Sequence, residues 1–222
     1  MPMPRRWIVV AVLGCLLLGW WLSNPPSSLP APATVAAAVE TTRADTSACP
    51  LPPRVEPGGP PLQSKVPSSM PPLKTEGATL QPLAGFSVDA RVLGREDYRM
   101  GREAEFSPTD LALGWGRMTE DAVLAQLQIS QGGRWYRYRW KHDPPIPLGE
   151  IVRSSANMHM VPADDEVAAA LRDVDAGERV RIDGWLVQVN TPDGWRWRSS
   201  LTREDSGGGA CEVVYVCAVS TY

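Results

Sequence analysis

The chain has 222 residues, with 22 Lys+Arg against 25 Asp+Glu, so its formal net charge is -3. This balance excludes a general nucleic-acid binder, which would be strongly basic. Four cysteines are too few for a small disulfide scaffold, and two histidines leave little room for a zinc site. A single apolar run that approaches the length of a bilayer span also excludes a multi-pass transporter.

The N-terminus has the pattern of a membrane anchor. Arg5 and Arg6 precede an uncharged apolar run of sixteen residues, Trp7 to Leu22. At ~1.5 Å per residue, a helix over this run would be about 24 Å long, slightly shorter than a ~30 Å hydrocarbon core. Because basic residues stay on the cytoplasmic side, we expect residues 7–22 in the lipid bilayer and the rest of the chain outside the cytoplasm.

Two alternatives to an uncleaved anchor stay open. A signal peptide could be cleaved at Ala36-Ala37-Ala38, although this site lies fourteen residues beyond Leu22. A lipoprotein signal could use Val12-Leu13-Gly14-Cys15, but seven further apolar residues follow Cys15. The pattern therefore favours the uncleaved anchor over 1–22.

Proline dominates the next segment. Residues 23–82 contain fourteen prolines, often in adjacent pairs. Proline removes a backbone donor and fixes φ, so the composition favours a disordered, semi-extended linker with no helix or central strand. Sixty such residues at ~3.1 Å each would reach on the order of 190 Å when fully extended.

About 140 residues remain, which is enough for one folded domain over 83–222. Its first half mixes short helices with strands. Alternation predicts a half-buried strand over Phe86 to Val92. Start and stop signals predict the other elements of this half: a helix from Ser107-Pro108 to Leu113, a helix capped by Thr119, a turn at Gly132-Gly133 that leads into Arg134 to Lys141, a strand over Ile151 to Ser155, and a helix capped by Asp164.

The last third has strand character throughout. In Arg179 to Val189 the apolar positions change from even to odd numbers at Asp183-Gly184, which predicts a β-bulge there. A turn over Thr191 to Gly194 leads to Trp195-Arg196-Trp197-Arg198, and the apolar run Cys211 to Val219 predicts a central strand. We therefore expect a strand-rich α+β fold: a small coiled antiparallel sheet or partly open OB-like barrel with two or three short helices.

Basic and aromatic residues alternate on two of these strands. Arg137 and Arg139 alternate with tyrosine and tryptophan, and Arg196 and Arg198 follow Trp195 and Trp197 in the same way. Such a face suits single-stranded nucleic acid, a glycan or an anionic envelope polymer. The simpler interpretation is a half-buried strand with its aromatic side chains in the core and its arginines in solvent.

One histidine lies in an unusual setting, Ser154-Ser155-Ala156-Asn157-Met158-His159-Met160. His159 could act as a general base oriented by Asp164 or Asp165, with Ser155 or Cys211 as the nucleophile. No recognised catalytic motif surrounds these residues. A structural histidine at the end of a strand is the competing interpretation.

Two further features have no specific assignment. The polar stretch Ser199 to Ser206 fits a binding loop or an ordinary hairpin connection equally well. His142 and His159 lack metal-ligand spacing, so we predict neither a metal nor a cofactor.

Whether the cysteines form disulfides depends on the compartment. Cys211 and Cys217 are six residues apart on one predicted strand, roughly 20 Å, which is too far for a bond between them. Cys49 could pair with either one or with a second chain, since an extracytoplasmic compartment allows disulfides. Alternatively, Cys211 and Cys217 are small buried apolar residues.

Five segments together resemble a family of uncharacterised, small, single-pass proteobacterial membrane proteins. They are Arg95 to Tyr98, Ser107 to Met118, Ser154 to His159, Ser199 to Leu201 and Gly209 to Glu212. The resemblance spans roughly residues 83–216 and excludes the anchor and linker. It implies a single-pass protein of the bacterial inner membrane, and it implies no activity.

These observations lead to three hypotheses. The first is a membrane-anchored periplasmic module that binds or scaffolds an envelope protein or polymer, and that is not an enzyme. The second is an envelope hydrolase that uses His159 with Ser155 or Cys211. The third is an anchored nucleic-acid binder that uses the four arginines, which the acidic net charge and the extracytoplasmic location disfavour.

Overall fold

Strands dominate the part of the chain that the computed structural model describes, residues 49–202 and 211–222. The strands are β1 (Leu62–Ser64), β2 (Leu73–Thr75), β3 (Ala78–Asp97), β4 (Thr109–Gly114), β5 (Gln128–Gly132), β6 (Trp135–Arg139), β7 (Ser155–Pro162), β8 (Arg179–Asn190), β9 (Arg196–Arg198) and β10 (Glu212–Thr221). Four short helices accompany them, α1 (Arg102–Phe106), α2 (Asp121–Leu124), α3 (Leu148–Arg153) and α4 (Asp165–Arg172), together with a 3₁₀ helix over Gly116–Thr119. The predicted strand-rich α+β class is confirmed.

Five strands pair in a closed ring. β3 pairs with β4, β4 with β7, β7 with β10, β10 with β8, and β8 again with β3. Only β7 and β10 run parallel. All five strands contribute to one buried cluster, which includes Phe86, Leu111, Met158, Ile182 and Val214, so the inner side of the ring is the main apolar core.

Smaller elements attach to this ring. β1 and β2 pair with β3, and β9 pairs with β8. β5 and β6 form a separate hairpin, as the Gly132-Gly133 turn predicts. Helix α4 contributes Val167 and Leu171 to the main core, and the Asp164 carboxylate caps its N-terminus by accepting the Val167 N–H at 2.8 Å, as predicted.

The even-to-odd change along β8 has a different cause from the predicted bulge. β8 itself contains no extra residue. The register shifts lie in its partners, at Leu83 of β3 and at Cys217 of β10, and the second lies opposite Asp183-Gly184. The apolar phase changes because Val180, Ile182 and Leu186 face the main core, whereas Trp185, Val187 and Val189 face a second buried cluster outside the ring.

Glycine is required at the point where β8 meets β10. A Cβ on Gly184 would lie 2.1 Å from the Tyr215 carbonyl oxygen. The change of core side along β8 therefore coincides with a close approach of two backbones.

Two predicted elements of the first half are wrong in type. Thr109–Gly114 is strand β4, not a helix, and all six of its residues are buried. A strand with partners on both edges and buried residues on both sides overrides the Ser-Pro helix signal. Ile151 lies in helix α3, and the strand predicted to end at Ser155 begins there instead.

The other predictions for this part of the chain fit more closely. The helix expected after Thr119 exists as α2, but Glu120 is its cap residue and the Thr119 hydroxyl donates to the Gly116 carbonyl oxygen at 2.8 Å. The turn over Thr191 to Gly194 is closed by a Gly194 N–H···O=C Thr191 hydrogen bond of 3.0 Å. β10 lies between β7 and β8, which confirms it as a central strand.

The folded unit begins upstream of the boundary predicted at residue 82. That boundary falls inside β3, and β1 and β2 lie within the segment predicted to be linker. Thr46–Tyr222 form one compact unit. The prolines before β3 are tolerated because β1 and β2 contain none of them, so they lie outside the strands of this segment.

Residues 49–58 form an arm that packs on the outer side of β3 and β8. The Trp185 indole N–H donates to the Pro50 carbonyl oxygen at 2.7 Å, and the Val55 N–H donates to the Ser87 hydroxyl at 2.9 Å. Arg54 pairs with buried Asp183 at 3.0 Å. The arm explains why β3 is buried on both sides from Phe86 to Ala90, where alternation predicted a half-buried strand.

A disulfide joins the start of this arm to β10. Cys49 and Cys217 are bonded, with a Cα–Cα distance of 5.4 Å, and Cys211 is not in a disulfide. Of the alternatives left open by the sequence, the structure selects Cys217 as the partner of Cys49 within one chain.

Several predictions lie outside the described residues. They concern the anchor, its cleavage and lipoprotein alternatives, the linker before Cys49, and the loop around Ser206. Within 49–202 and 211–222, no helix has the length and apolar character that a membrane span requires.

We expect the Cys49–Cys217 bond to stabilise the domain strongly, because it closes a loop with a sequence separation of 168 residues. Cys49→Ser should lower the unfolding free energy by about 2–5 kcal/mol in denaturant titrations of the full chain in detergent. Cys211→Ser is the matched control and should leave the midpoint nearly unchanged. Equal midpoints for Cys49→Ser and the unmodified protein would contradict the prediction.

Asp89 makes stability depend on pH. Burial raises the pKa of Asp89, but hydrogen bonds from the Tyr222 hydroxyl, the Gly58 N–H and Arg179 outweigh this effect, so its pKa lies below the ordinary value. A carboxylate whose pKa is lower in the folded state stabilises the fold at pH values above its unfolded-state pKa. This contribution disappears as the pH falls through the folded-state pKa. The stability difference between the protein and Asp89→Asn should therefore shrink below about pH 4. Urea titrations from pH 7 downward measure it, and a constant difference would refute the assignment.

Candidate functional site

A buried carboxylate lies at the centre of the candidate site. Strand alternation in β4 sends Leu111 to the core and Asp110 to the outer side of the ring, where the Asp110 side chain has no exposure to solvent. Asp110 lies directly opposite His159 in the β4–β7 register. Their side chains meet at 2.9 Å between Asp110 Oδ1 and His159 Nδ1.

Arg134 reaches this carboxylate from the β5–β6 turn. Its Nη1 lies 2.6 Å from Asp110 Oδ1, and its Nη2 donates to the Ser107 carbonyl oxygen at 3.0 Å. The guanidinium also stacks over Tyr98 at 3.9 Å, and the Arg134 N–H donates to the Tyr98 hydroxyl at 2.8 Å. Arg134 has a φ of 68°, a left-handed conformation that no other non-glycine residue in the described ranges adopts.

Two amides complete the polar network. The Asn157 amide donates to Asp110 Oδ2 at 3.1 Å and to the Arg134 carbonyl oxygen at 3.2 Å. The Gln131 amide donates to Asn157 Oδ1 at 2.8 Å and to the Asp110 carbonyl oxygen at 3.2 Å. We call these five residues, Asp110, Gln131, Arg134, Asn157 and His159, the Asp110 cluster.

Aromatic rings cover one side of the cluster. The Trp197 ring centroid lies 4.8 Å from that of His159 and 6.1 Å from that of Trp195. Phe106 of α1 continues the stack on Trp195 at 5.9 Å, and Arg102 lies over the same Trp195 ring at 4.9 Å. His159 is consequently only 4% exposed.

The groups of the Asp110 cluster balance the buried negative charge of Asp110. One carboxylate faces one guanidinium, and the imidazole supplies a further contact, so the cluster is neutral when His159 is neutral. A carboxylate bonded to Nδ1 can also fix the tautomer of a histidine, as in catalytic pairs. The arrangement therefore contains a carboxylate that can orient a histidine, as in an acid–base site, but Trp197 covers that histidine.

The structure brings together only some of the residues proposed for catalysis. Asp164 caps α4 and does not orient His159, a role that Asp110 fills instead. The Ser155 hydroxyl donates to the Ile151 carbonyl oxygen at 2.8 Å. Ser155 lies four residues from His159 on one strand, a distance of roughly 13 Å. Cys211 lies closer to the cluster, with its Sγ 3.9 Å from the Arg134 carbonyl oxygen.

The four arginines proposed for binding lie on two exposed edges. Arg137 and Arg139 point outward from β6, and Arg196 and Arg198 point outward from β9. None of the four forms an ion pair with another residue of the described ranges. The alternating aromatic residues are partly buried and pack on clusters of the interior, as the simpler interpretation of the pattern predicts.

Sequence reasoning missed Asp110, Arg134 and Tyr98 as members of the site. Asp110 had a usable signal, since it is the only charged residue in the stretch from Thr109 to Gly116. Arg134 had none, because its role depends on the hairpin turn. Four of the five segments that carry the family resemblance meet here: they supply Tyr98, Asp110, His159 and Cys211.

No protein-family model, curated protein or solved structure matches the chain. Among the described residues, no group of three or more His, Cys, Asp or Glu side chains could hold a metal ion. The geometry of the site is therefore the basis for assigning a function.

Removing the central charge should unfold the domain more readily. Asp110→Asn removes a fully buried carboxylate, leaves the partly buried Arg134 without its ionic partner, and should cost about 3–5 kcal/mol of unfolding free energy. Asp121→Asn is the matched control, because the Asp121 carboxylate that pairs with Arg91 is 88% exposed and should cost at most about 1 kcal/mol. Urea denaturation of both variants makes the comparison, and equal losses would contradict a buried pair.

Proposed function

We propose that the chain is a membrane-anchored extracytoplasmic module that binds or scaffolds a partner in the bacterial cell envelope. One observation carries the choice of binding over catalysis: the polar groups of the Asp110 cluster bond one another beneath Trp197. The cluster ties a hairpin, two ring strands and the connection that contains Ser107. A polar network whose groups bond one another and join several segments has a structural role, which supports a binding surface and not a catalytic site.

The strand order supports a barrel of OB-like type. In the ring the first strand is followed by the second, third, fifth and fourth, and the single parallel pair joins the third to the fifth. OB barrels bind oligomers across their second and third strands and the loops beside them. The corresponding strands here are β4 and β7, whose outer side holds Asp110 and His159.

The Cys49–Cys217 disulfide supports an oxidising compartment, since such bonds persist outside the cytoplasm. It agrees with the predicted bilayer segment over 7–22 and with the resemblance to single-pass inner-membrane proteins. Because the folded unit begins near Thr46, a linker would span only about 23–48. At ~3.1 Å per residue its greatest reach is about 80 Å.

A hydrolase is the second candidate, and the Asp110–His159 pair favours it. Its nucleophile would be Cys211, which borders the cluster, instead of Ser155, which is bonded elsewhere. A nucleic-acid binder is the third. The exposed arginines support it, and the net charge of -3 opposes it.

Crosslinking the full chain in its native membranes tests the leading proposal. We expect His159→Gln to retain partner capture, because a glutamine amide can still donate to Asp110. A reporter fused after Tyr222 should behave as extracytoplasmic. Thiol or serine probes that label Cys211 or Ser155, and stop doing so in His159→Gln, would overturn the proposal in favour of the hydrolase.

A further inference from the structure

The β5–β6 hairpin has two chemically different faces. Tyr138 and Trp140 pack inward against the cluster that contains Met118 and Ile151. The outward face presents Trp135, which is 38% exposed, together with Arg137 and Arg139. The hairpin register places Arg137 opposite Ser130 and Arg139 opposite Gln128.

The outward face carries positive charge without compensation. The exposed strand residues on it, Gln128, Ser130, Trp135, Arg137 and Arg139, include no carboxylate. Neither arginine forms an ion pair within the described ranges, as noted above. Two residues of an extended strand advance ~7 Å, so the face offers a ring and two cations at regular intervals.

A cavity of about 680 Å³ continues this face beyond the end of β6. Its lining includes Gln126, Gln128, Lys141, His142 and Asp143. Gln128 belongs to both features, because it lines the cavity and lies opposite Arg139. The volume is within the range of small-molecule sites, and the lysine extends the row of cations.

We propose that this face and cavity bind an extended, phosphate-bearing glycan of the envelope. A sugar ring packs on Trp135, phosphate groups meet Arg137 and Arg139, and the end of the oligomer enters the cavity beside Lys141. The inference rests on the proposed binding function and supplies its ligand class.

The aromatic residues favour a glycan over nucleic acid. Single-stranded nucleic acid stacks successive bases on successive rings. Here Tyr136, Tyr138 and Trp140 face inward, and Trp135 is the ring that the outward face of β6 presents. One ring followed by two cations along the strand suits a polymer whose charges outnumber its stacking contacts.

The β9 arginines have different surroundings. Arg198 donates to the Gln188 side-chain oxygen at 3.1 Å, whereas Arg137 of β6 donates to the Gly132 carbonyl oxygen of its own hairpin at 3.4 Å. The turn before β9 borders a cavity of about 580 Å³ whose lining includes the carboxylates of Glu76, Glu105 and Asp193. Three carboxylates and one arginine line that cavity, whereas one carboxylate and one lysine line the cavity beside β6, so the β9 pair has the more acidic surroundings and is the matched control for the β6 pair.

Binding of defined polymers to the full chain in detergent tests the proposal. The probes are phosphorylated dextran, neutral dextran, linear polyphosphate and oligothymidylate. We expect the phosphorylated dextran to bind most tightly. R137Q/R139Q should weaken this binding on the order of tenfold and lower the salt slope by about one per arginine. R196Q/R198Q should leave both nearly unchanged.

The ring contact has its own readout. Trp135→Ala should weaken the binding of phosphorylated dextran. It should leave the binding of polyphosphate unchanged, because polyphosphate has no sugar to pack on the indole. Far-UV circular dichroism of each variant checks that the fold is kept.

Three results would overturn the inference. They are equal losses in the two arginine pairs, tighter binding of oligothymidylate than of phosphorylated dextran, and absence of binding by every probe. The last result leaves the proposed function intact if crosslinking still captures an envelope partner. Failure of both experiments would remove the proposed function as well.

Discussion

A carboxylate without access to water must be compensated within the protein, and Asp110 imposes this requirement on the fold. Three groups from two other segments answer it: Arg134 from the hairpin turn, and Asn157 and His159 from β7. Losing one partner would leave the others with an uncompensated buried charge. The contact between Arg134 and the Asp110 carboxylate therefore ties the turn of the hairpin to β4. Trp135 of the exposed face is the next residue in the chain, so the same contact helps to hold that face in place.

The arm over 49–58 imposes a second constraint on the same ring. It covers the outer side of β3 and β8, where Ser87, Asp89 and Asp183 would otherwise face solvent, and each of these polar groups bonds the arm. Position 85 of β3 requires glycine because β1 and the arm approach it closely. A Cβ on Gly85 would lie 2.2 Å from Ser64 Oγ and 2.9 Å from the Pro52 Cβ. Polar residues in a strand can thus be buried by an outer layer that another segment of the same chain forms.

This layer explains what sequence patterns could and could not predict. Period-two alternation located β3 and β8, a continuous apolar run located β10, and the capping signal located α4, because those patterns report local geometry and burial. The patterns misled at two points. Before β4 the Ser107-Pro108 start signal indicated a helix, and in β8 the change from one core to another resembled a bulge. His159 was a visible candidate because of its setting, whereas its partner Asp110 is 49 residues away in the chain. Only the pairing of β4 with β7 brings the two together.

The two constraints act on different parts of the ring. The arm and its disulfide hold β3, β8 and β10, whereas the Asp110 cluster and the hairpin belong to β4 and β7. In the proposed anchored module, the segment before Cys49 is covalently joined to β10, which carries no residue of the Asp110 cluster. β10 is nevertheless the parallel partner of β7, and Val213 lies opposite His159 in that register. Tension in the linker would therefore reach the cluster through β10 and β7, and not through the hairpin.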